Sequence, residues 1–450
     1  MIRIIGKELG HISEKRVNNI IMACCLMLFS IYAPYNRNVS YIYQISVMLY
    51  LIYISKNYYD FFFSLVLLTT TRDYIAVSTA QKFRSYYGIN GLILSLTLIL
   101  IGVRALVFKK WKLHLDMTGI CLIVFSGLML FSYVFVESRS EYNNLFIPIC
   151  FIYLFSCNEI LSEEDIIIAK LAFIFAGFFL SLKVIPYIIN YTASPLFRTY
   201  SIFIDNNQLL VDRNYQAMYC LICATTGLSF LFQYSKRLGI IGKALIIACT
   251  AADIFIIAMG GSRSAILALV IYIALFLLMF NQGLPKFIGV VMTGMAMGLY
   301  SIQMGVFDSI LQRFAHTDVL SGNGRITLWS EYIDQYLKGN IIQLILGRGI
   351  TGISVIGSPA HNTFISILFC FGLAGFISFT WLIGTIVVRF IRYDQRLELI
   401  ILLAVIAMAN TIEPYYRIEF ALYIVLTARI SLYHGGNSNE VYSTSRSLTV

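Results

Sequence analysis

The sequence predicts an all-α, polytopic membrane protein with about 12–14 spans, because its apolar runs are long and nearly free of charge. Hydrophobic residues make up 59% of the 450 residues, and charged residues make up only 12%. Soluble domains have about 25% charged residues, so a soluble fold is excluded. The apolar runs are continuous over roughly 15–25 residues, whereas the strands of a membrane barrel alternate apolar and polar residues. A helix bundle is therefore the predicted fold class.

The apolar runs define the predicted spans, and polar or basic residues separate them. They lie near Asn19–Pro34, Val39–Ser55, Tyr58–Thr71, Gly88–Phe108, Thr118–Val136, Leu145–Cys157, Ile166–Ile189, Tyr215–Phe232, Ile240–Met259, Ser264–Phe280, Phe287–Met304, Thr363–Val388, Leu397–Asn410 and Arg417–Tyr433. The third and sixth runs are short, so one of them could enter and leave the membrane on the same side.

Basic residues accumulate in alternate connections between these spans, and this pattern predicts the orientation of the bundle. They are Arg3, Lys7, Lys15 and Arg16 before the first span, then Lys109, Lys110, Lys112, Lys236, Arg237, Lys286, Arg389, Arg392 and Arg396. Cytoplasmic loops are rich in lysine and arginine. We therefore expect both termini to be cytoplasmic.

The net charge of +10 and the nine cysteines require no nucleic acid, metal or cofactor. The basic residues lie mostly in short connections, where topology explains them. The cysteines lie in apolar runs or at their ends, and cysteine in a span acts as a small packing residue. Cys220 and Cys223 have the spacing of a redox pair, but no cluster of histidines or carboxylates accompanies them. We predict no nucleic-acid partner, no metal and no cofactor.

Residues 305–362 interrupt the apolar pattern and form the predicted extracytoplasmic active-site loop. They separate a transmembrane bundle of residues 1–304 from C-terminal spans in 363–433, and 434–450 is predicted to be a disordered cytoplasmic tail. Within the loop, Ile326–Lys338 has the spacing of an amphipathic helix. Its predicted apolar stripe is Ile326, Trp329, Ile333, Tyr336 and Leu337, and its polar face is Glu331, Asp334, Gln335 and Lys338. Such a helix would lie on the membrane surface or cover a cavity.

Arginines recur beside the predicted extracytoplasmic ends of spans, where the orientation rule makes them unexpected. The candidate binding residues are the arginines Arg213, Arg263, Arg313, Arg325 and Arg348, together with Asn214, which follows Arg213. A guanidinium can hold a phosphate with two hydrogen bonds, and charge at membrane depth often marks a substrate path. Arg325 opens the predicted amphipathic helix, and helix N-termini already favour negative charge.

Plainer explanations of these residues remain open. Arg263, in the turn Gly260-Gly261-Ser262-Arg263-Ser264, could simply end a span. Arg213-Asn214 could be an ordinary helix start with a capping residue. In the Gly347-Arg348-Gly349 turn, the two glycines let the backbone approach a ligand or another helix closely.

His361 and Asn362 follow Pro359 at the point where the chain enters a predicted span. A histidine there can face water beside the membrane, and imidazole can take a proton from a hydroxyl at neutral pH. His361 is favoured over His316 because it is anchored at a span. A histidine that caps a helix or packs at the interface is the alternative.

Taken in order, these motifs resemble the O-antigen ligase and O-antigen polymerase superfamily. The resemblance rests on Gly261 to Ser264, on Arg325 with Trp329, on Gly347 and Gly349, and on Pro359, His361 and Asn362 before Phe371-Gly372. It covers roughly Tyr200 to Gly375, and the earlier spans add only hydropathy.

The resemblance implies a metal-independent, inverting glycosyltransferase of the GT-C type. Its donor would be an oligosaccharide on undecaprenyl diphosphate at the outer face of the cytoplasmic membrane. Arg263, with Arg213 and Arg325 as further candidates, would bind the donor diphosphate, and His361 would activate the acceptor hydroxyl.

Three functional questions stay open at this point. A polymerase would transfer the glycan to another lipid-linked repeat unit, with a chain-length regulator as an expected partner, and a ligase would transfer it to lipid A–core. We favour polymerase because the chain lacks a fuller ligase-like match. A lipid-linked glycan flippase is the alternative of another class, but the sequence has no repeated halves and few charges within its spans, namely Arg104, Lys170 and Lys183. A structural subunit would need neither His361 nor the arginines.

Overall fold

A computed structural model describes the chain at residues 13–29, 37–55, 60–68, 98–99, 102–103, 116–134, 149–153, 161–191, 203–204, 208–209, 213–259, 262–280, 324–349 and 356–433. Most of this part is helical. The described strands are β1 (Phe203–Ile204) and β2 (Gln208–Leu209), a two-residue antiparallel pair. The predicted helical architecture is confirmed apart from this short pair.

The α-helices are numbered in chain order within the described ranges. They are α1 (Glu14–Phe29), α2 (Arg37–Ile54), α3 (Met117–Val134), α4 (Glu163–Tyr191), α5 (Arg213–Tyr234), α6 (Ile240–Met259), α7 (Arg263–Met279), α8 (Arg325–Leu337), α9 (Ile341–Leu346), α10 (Thr363–Arg392), α11 (Arg396–Ala409) and α12 (Ile418–Ile430). A short 3-10 helix, Pro414–Tyr416, connects α11 to α12.

Four of the described helices are long and apolar enough to cross a membrane. They include Glu163–Leu182 of α4, Asn214–Tyr234 of α5, Ile240–Ala258 of α6 and the whole of α10, and shorter apolar helices lie at Tyr41–Ile54, Met117–Ser132 and Arg263–Met279. The chain is therefore an α-helical membrane protein. The predicted spans near 88–108 and 287–304 lie almost wholly outside the described residues, so the total number of spans stays a prediction.

Helix α5 is the centre of the described bundle and packs against α4, α6, α7 and α11. Every side chain from Ala217 to Ala224 is buried. A helix that is apolar on all sides is expected to be surrounded by other helices. Cys220 and Cys223 lie in this buried stretch as free thiols, which agrees with a packing role.

One end of the bundle is held by ion pairs, and we call it the ion-pair end. Arg16 contacts Asp60, Glu164 and Asp165; Arg237 contacts Glu163; Lys170 contacts Glu398; and Asp116 contacts Arg389 and Arg429. These contacts join α1 and α11 to α4, the α5–α6 turn to α4, and the residue before α3 to α10 and α12. The side of the membrane on which the basic connections lie stays a prediction.

The opposite end collects the first residues of α5, α7, α10 and α12, and we call it the arginine end. Ser262, before α7, is hydrogen-bonded to Asn214 in α5. The Thr363 hydroxyl at the start of α10 donates to the Ile412 carbonyl between α11 and α12, over 2.8 Å. Arg417, the residue before α12, lies over the Tyr215 ring of α5. The predicted site residues at these helix starts thus lie at one end.

The predicted amphipathic helix exists as α8, but its apolar residues do not form one packed stripe. Tyr332 is buried against α10, with its ring 4.9 Å from that of Phe369. Ile326, Ile333 and Leu337 are exposed instead. The predicted stripe therefore divides into residues that pack on the bundle and residues that face away from it, and the predicted position on the membrane surface or over a cavity stays a prediction.

The glycines of the Gly347-Arg348-Gly349 turn allow close backbone contact with a kink in α10. Gly347 and Gly372 both have positive φ, and a Cβ on Gly347 would lie 2.2 Å from the Cys370 carbonyl oxygen. The Arg348 and Gly349 amides donate to the carbonyls of Phe369 and Cys370. Of the two uses considered for these glycines, the structure shows close approach to another helix.

Close packing between α4, α5 and α6 gives a stability prediction. A Cβ on Gly177 would lie 2.5 Å from Asp253 Oδ2 and from Cys223 Cβ, whereas one on Gly127 would meet nothing within 4 Å. We expect Gly177→Ala to destabilise the protein by about 1–3 kcal/mol, since overpacking forces the helices apart. Gly127→Ala is the matched control and should not destabilise it. Unfolding of the detergent-solubilised variants would measure the difference, and equal stability of the two would contradict the packing described.

Candidate functional site

Asn214 and Ser262 join the first turns of α5 and α7. The Ser262 hydroxyl donates to Asn214 Oδ1 over 3.1 Å, and Ser262 is buried. This contact fixes the residue before Arg263, which is itself the first residue of α7 and is exposed. The guanidinium of Arg263 is therefore carried by a rigid helix end rather than by a long loop.

Arg325 begins α8 close to Arg263. Its side chain is half-buried, and burial together with the positive charge of Arg263 lowers the pKa of Arg325 below its ordinary value. Each arginine is also the first residue of a helix, where unpaired backbone N–H groups and the helix dipole add positive potential. Two guanidinium groups and two helix N-termini thus favour a ligand with more than one negative charge.

His361 lies just before α10 in a strained conformation that a buried carboxylate supports. Its φ is +51°, in the left-handed region that few residues other than glycine adopt. The His361 backbone N–H donates to Glu413 Oε1 over 3.1 Å. Asn362 caps α10 by accepting from the Phe364 and Ile365 amides, over 3.0 and 3.2 Å. The carbonyl of the Asn362 side chain is therefore engaged by the helix itself.

Trp329 connects Arg325 to His361. Its indole N–H donates to the Ala360 carbonyl over 2.8 Å, and the Tyr332 hydroxyl donates to the Ser358 carbonyl. Trp329 lies four residues after Arg325, or about one helical turn. Trp329 thus links the first turn of α8, which carries Arg325, to Ala360, the residue before His361.

Arg417 connects the start of α12 to the start of α5 at the arginine end. Its guanidinium carbon lies 4.3 Å from the centre of the Tyr215 ring, which is a cation–π distance. Tyr215 follows Asn214, and Arg417 follows Glu413 by four residues. Two linked groups therefore lie at the arginine end. One is Ser262, Asn214, Tyr215 and Arg417, and the other is Trp329, Ala360, His361 and Glu413.

Glu413 is a site residue that the sequence did not identify. It is 1% exposed, and burial raises its pKa to about 7, although hydrogen bonds from Ser366 and from the Ala360 and His361 amides act in the opposite direction. The available signal was an acidic residue in a very short connection between two apolar runs. Distance along the sequence hid its contact with His361.

The remaining predicted binding residues have other positions. Arg348 lies at the far end of α8, where it donates to the Gln335 carbonyl and lies 5.8 Å from the centre of the Phe369 ring, so it connects α8 to α10. Arg213 is the first residue of α5, but its side chain lies outside the described part, as does all of Arg313. Nothing therefore tests the ligand contacts predicted for Arg213 and Arg313.

Comparison with known proteins adds no family to this description. No family model matches the chain, and no curated protein matches it. In the described ranges, no group of three or more histidine, cysteine, aspartate or glutamate side chains could hold a metal ion. The chemistry of the site is thus argued from its own groups: paired cations, helix N-termini, an imidazole and a buried carboxylate.

The buried Glu413 predicts a pH-dependent stability. Its pKa is about 7 in the folded protein and 4.5 in the reference state, so folding takes up a proton between these pH values. The contribution of Glu413 to the free energy of unfolding is fully present below pH 4.5. It falls as the pH rises towards 7, by at most roughly 3 kcal/mol. Glu413→Gln cannot ionise, so it should be more stable than the wild type at pH 8 and similar at pH 5.

Thermal unfolding in detergent between pH 5 and 8 would measure this effect. Glu331→Gln is the matched control, because it removes the same charge from an exposed position on α8. It should follow the wild-type pH dependence. A Glu413→Gln variant that lost stability with pH in parallel with the wild type would show that Glu413 is not the group concerned.

Proposed function

We propose that this protein is an integral-membrane glycosyltransferase whose donor is an oligosaccharide on undecaprenyl diphosphate. The observation that carries the proposal is that Arg263 and Arg325 each begin a helix and that the charge of Arg263 acts on Arg325. On the same helix as Arg325, Trp329 donates to the carbonyl of Ala360, the residue before His361. A diphosphate has the charge that paired guanidinium groups bind well. A lipid that carries it would present it at the end of a transmembrane bundle, where these residues lie.

The proposed reaction is a displacement at the sugar carbon attached to the diphosphate. Arg263 and Arg325 would stabilise the negative charge that develops on the diphosphate as its bond to the sugar breaks. His361 would take the proton from the acceptor hydroxyl as the oxygen forms the new glycosidic bond. Attack opposite the leaving group inverts the configuration of the sugar carbon.

Glu413 would act in this mechanism by holding the backbone of His361. The left-handed conformation of His361 is stabilised when Glu413 Oε1 accepts its amide N–H. Fixing a base within reach of its substrate is a large part of its catalytic advantage. No metal is required, since the guanidinium groups supply the positive charge.

The wider setting is part of the same proposal. We place the arginine end at the outer face of the bacterial inner membrane, in a GT-C-like bundle of about 12–14 spans with cytoplasmic termini. The acceptor would be a second lipid-linked repeat unit, which makes the enzyme a polymerase of O-antigen, capsule or exopolysaccharide. Transfer to lipid A–core is the ligase alternative.

The structure weakens one argument for a flippase. Lys170 was among the few charges expected within a span, and it contacts Glu398 and Gln233 near the ion-pair end. Such a contact between α4, α5 and α11 is a structural ion pair. Lys183 and Arg104 have no described side chains.

The proposed roles predict the effect of single substitutions in the native host. Arg263→Ala, Arg325→Ala and His361→Ala should each abolish long-chain surface polysaccharide. Arg237→Ala is a matched control: Arg237 is an exposed arginine at the ion-pair end, where its contact with Glu163 is worth little. Gel electrophoresis of the surface polysaccharide, with immunoblots for protein level, would measure the outcome.

The polysaccharide that the variants still make identifies the acceptor. If the long-chain ladder is lost and one repeat unit is still attached, the enzyme is a polymerase. Loss of every attached repeat, with accumulation of lipid-linked polymer, indicates a ligase. Normal polysaccharide from all three variants at normal protein level would refute the proposed roles.

A donor-binding experiment would distinguish the role proposed for the arginines from the role proposed for His361. Undecaprenyl diphosphate should raise the unfolding temperature of the purified wild type, because a ligand that binds only the folded state stabilises it. The increase should persist in His361→Ala and disappear in the Arg263→Ala, Arg325→Ala double variant. If the double variant were stabilised as much as the wild type, the diphosphate would bind elsewhere.

A further inference from the structure

Helix α8 has three distinct faces rather than two. At about 100° per residue, Leu328, Trp329, Tyr332 and Tyr336 fall on the side that packs against the bundle. Glu331, Asp334 and Lys338 fall together on a second, exposed side. Ile326, Ile333 and Leu337 fall together between these two sides, and they are 58%, 43% and 65% exposed.

The apolar edge continues into α9. Ile341, Ile342 and Ile345 are 73%, 63% and 49% exposed. Ser330 lies within the edge on α8, and its hydroxyl donates to the Ile326 carbonyl of the same helix, over 3.2 Å. We call the six isoleucine and leucine residues of α8 and α9 the apolar edge. Exposed apolar side chains in such a continuous group indicate a surface that is covered by something.

The apolar edge adjoins the exposed side of a membrane span. Leu373, Ile377 and Trp381 of α10 are each about half exposed, and an exposed side of a transmembrane helix faces lipid. The contact between Gly347 and Gly372 holds α9 against α10 at this level, since a Cβ on Gly372 would lie 2.4 Å from the Ile345 carbonyl oxygen. Ile345 is therefore a neighbour of the lipid-facing residues that begin at Leu373.

The length of α10 indicates how deep the contact lies. The kink at Gly372 divides α10. The part after the kink, residues 373–392, is about 30 Å long, which matches the thickness of the hydrocarbon core. Gly372 therefore lies near the outer boundary of the core. Helices that lie in the interface bury their apolar faces to about 5–10 Å.

We propose that α8 and α9 form a hairpin set into one leaflet of the membrane, with the apolar edge among the hydrocarbon chains of bilayer lipids. The packed face of α8 rests on α10, and its charged face points to the headgroups and water. Of the stripe predicted for α8, only Ile326, Ile333 and Leu337 would then contact lipid, and the contact would also include α9. This inference does not depend on the proposed glycosyltransferase activity.

Quenching by brominated lipid would test the proposal. A fluorescent non-canonical amino acid replaces Ile342 on the apolar edge, and in separate full-length proteins it replaces Ile341 on the edge, Asp334 on the charged face or Trp381 on α10. Each protein is reconstituted in phosphatidylcholine vesicles that contain no undecaprenyl lipid, with bromine on the acyl chains. Quenching at 341 and 342 should be at least twofold stronger than at 334 and comparable to that at 381.

Two results would overturn the proposal. One is quenching at 381 without quenching at 341 and 342, which would show that the edge is outside the bilayer and is covered by another partner. The other is quenching at 334 as strong as at 342, which would show that α8 has no preferred face towards lipid. Because the lipid contains no polyprenyl chain, quenching at 341 and 342 identifies ordinary bilayer lipid as the occupant.

Discussion

Charged residues are costly in a bilayer, and those in the described part of the chain form two groups at the two ends of the bundle. At the ion-pair end, Arg16 and Asp116 each contact more than one oppositely charged side chain, and these contacts join helices that are distant in sequence. At the arginine end, Arg263 and Arg325 lie near each other and carry the same charge. The first group stabilises the fold, and the second produces the positive potential on which the proposed function depends.

The antiparallel packing of the helices creates the arginine end. Since neighbouring helices alternate in direction, α5, α7, α10 and α12 all begin there, and each contributes a positive N-terminus. The short connections before these helices carry Ser262, His361 and Arg417. Ser262 contacts Asn214, Arg417 contacts the neighbouring Tyr215, and the His361 amide contacts Glu413. The groups that we propose for binding and proton transfer are therefore positioned by helix ends, which would suit a reaction that needs accurate alignment.

Much of this arrangement could be predicted from sequence because hydropathy and helix-end signals are local. The run Ile240–Met259 was predicted with the bounds that α6 has, and α8 begins one residue before its predicted start. Local pattern also indicated that Arg263 and His361 lie at span ends and that Arg325 lies at the start of an amphipathic helix. It could not show that two of these residues are close together, because that depends on helix packing.

What could not be predicted depends on pairs of residues far apart in sequence. The contact of Glu413 with His361 joins residues 52 positions apart, and no spacing rule connects them. Hydrophobic periodicity identified an amphipathic α8 but could not separate residues that pack on protein from residues that face lipid, since both are apolar. Gly347 and Gly372 show the same limit: each marks a close approach, but the sequence does not say that they approach each other.

The most direct test of the central claim is an experimental structure of the full-length protein in lipid nanodiscs with undecaprenyl diphosphate. The account predicts the two phosphates within hydrogen-bonding distance of both Arg263 and Arg325, with the imidazole of His361 on the side from which an acceptor sugar would approach. Phosphates bound at the ion-pair end, or Arg263 and Arg325 too far apart to share one ligand, would contradict it.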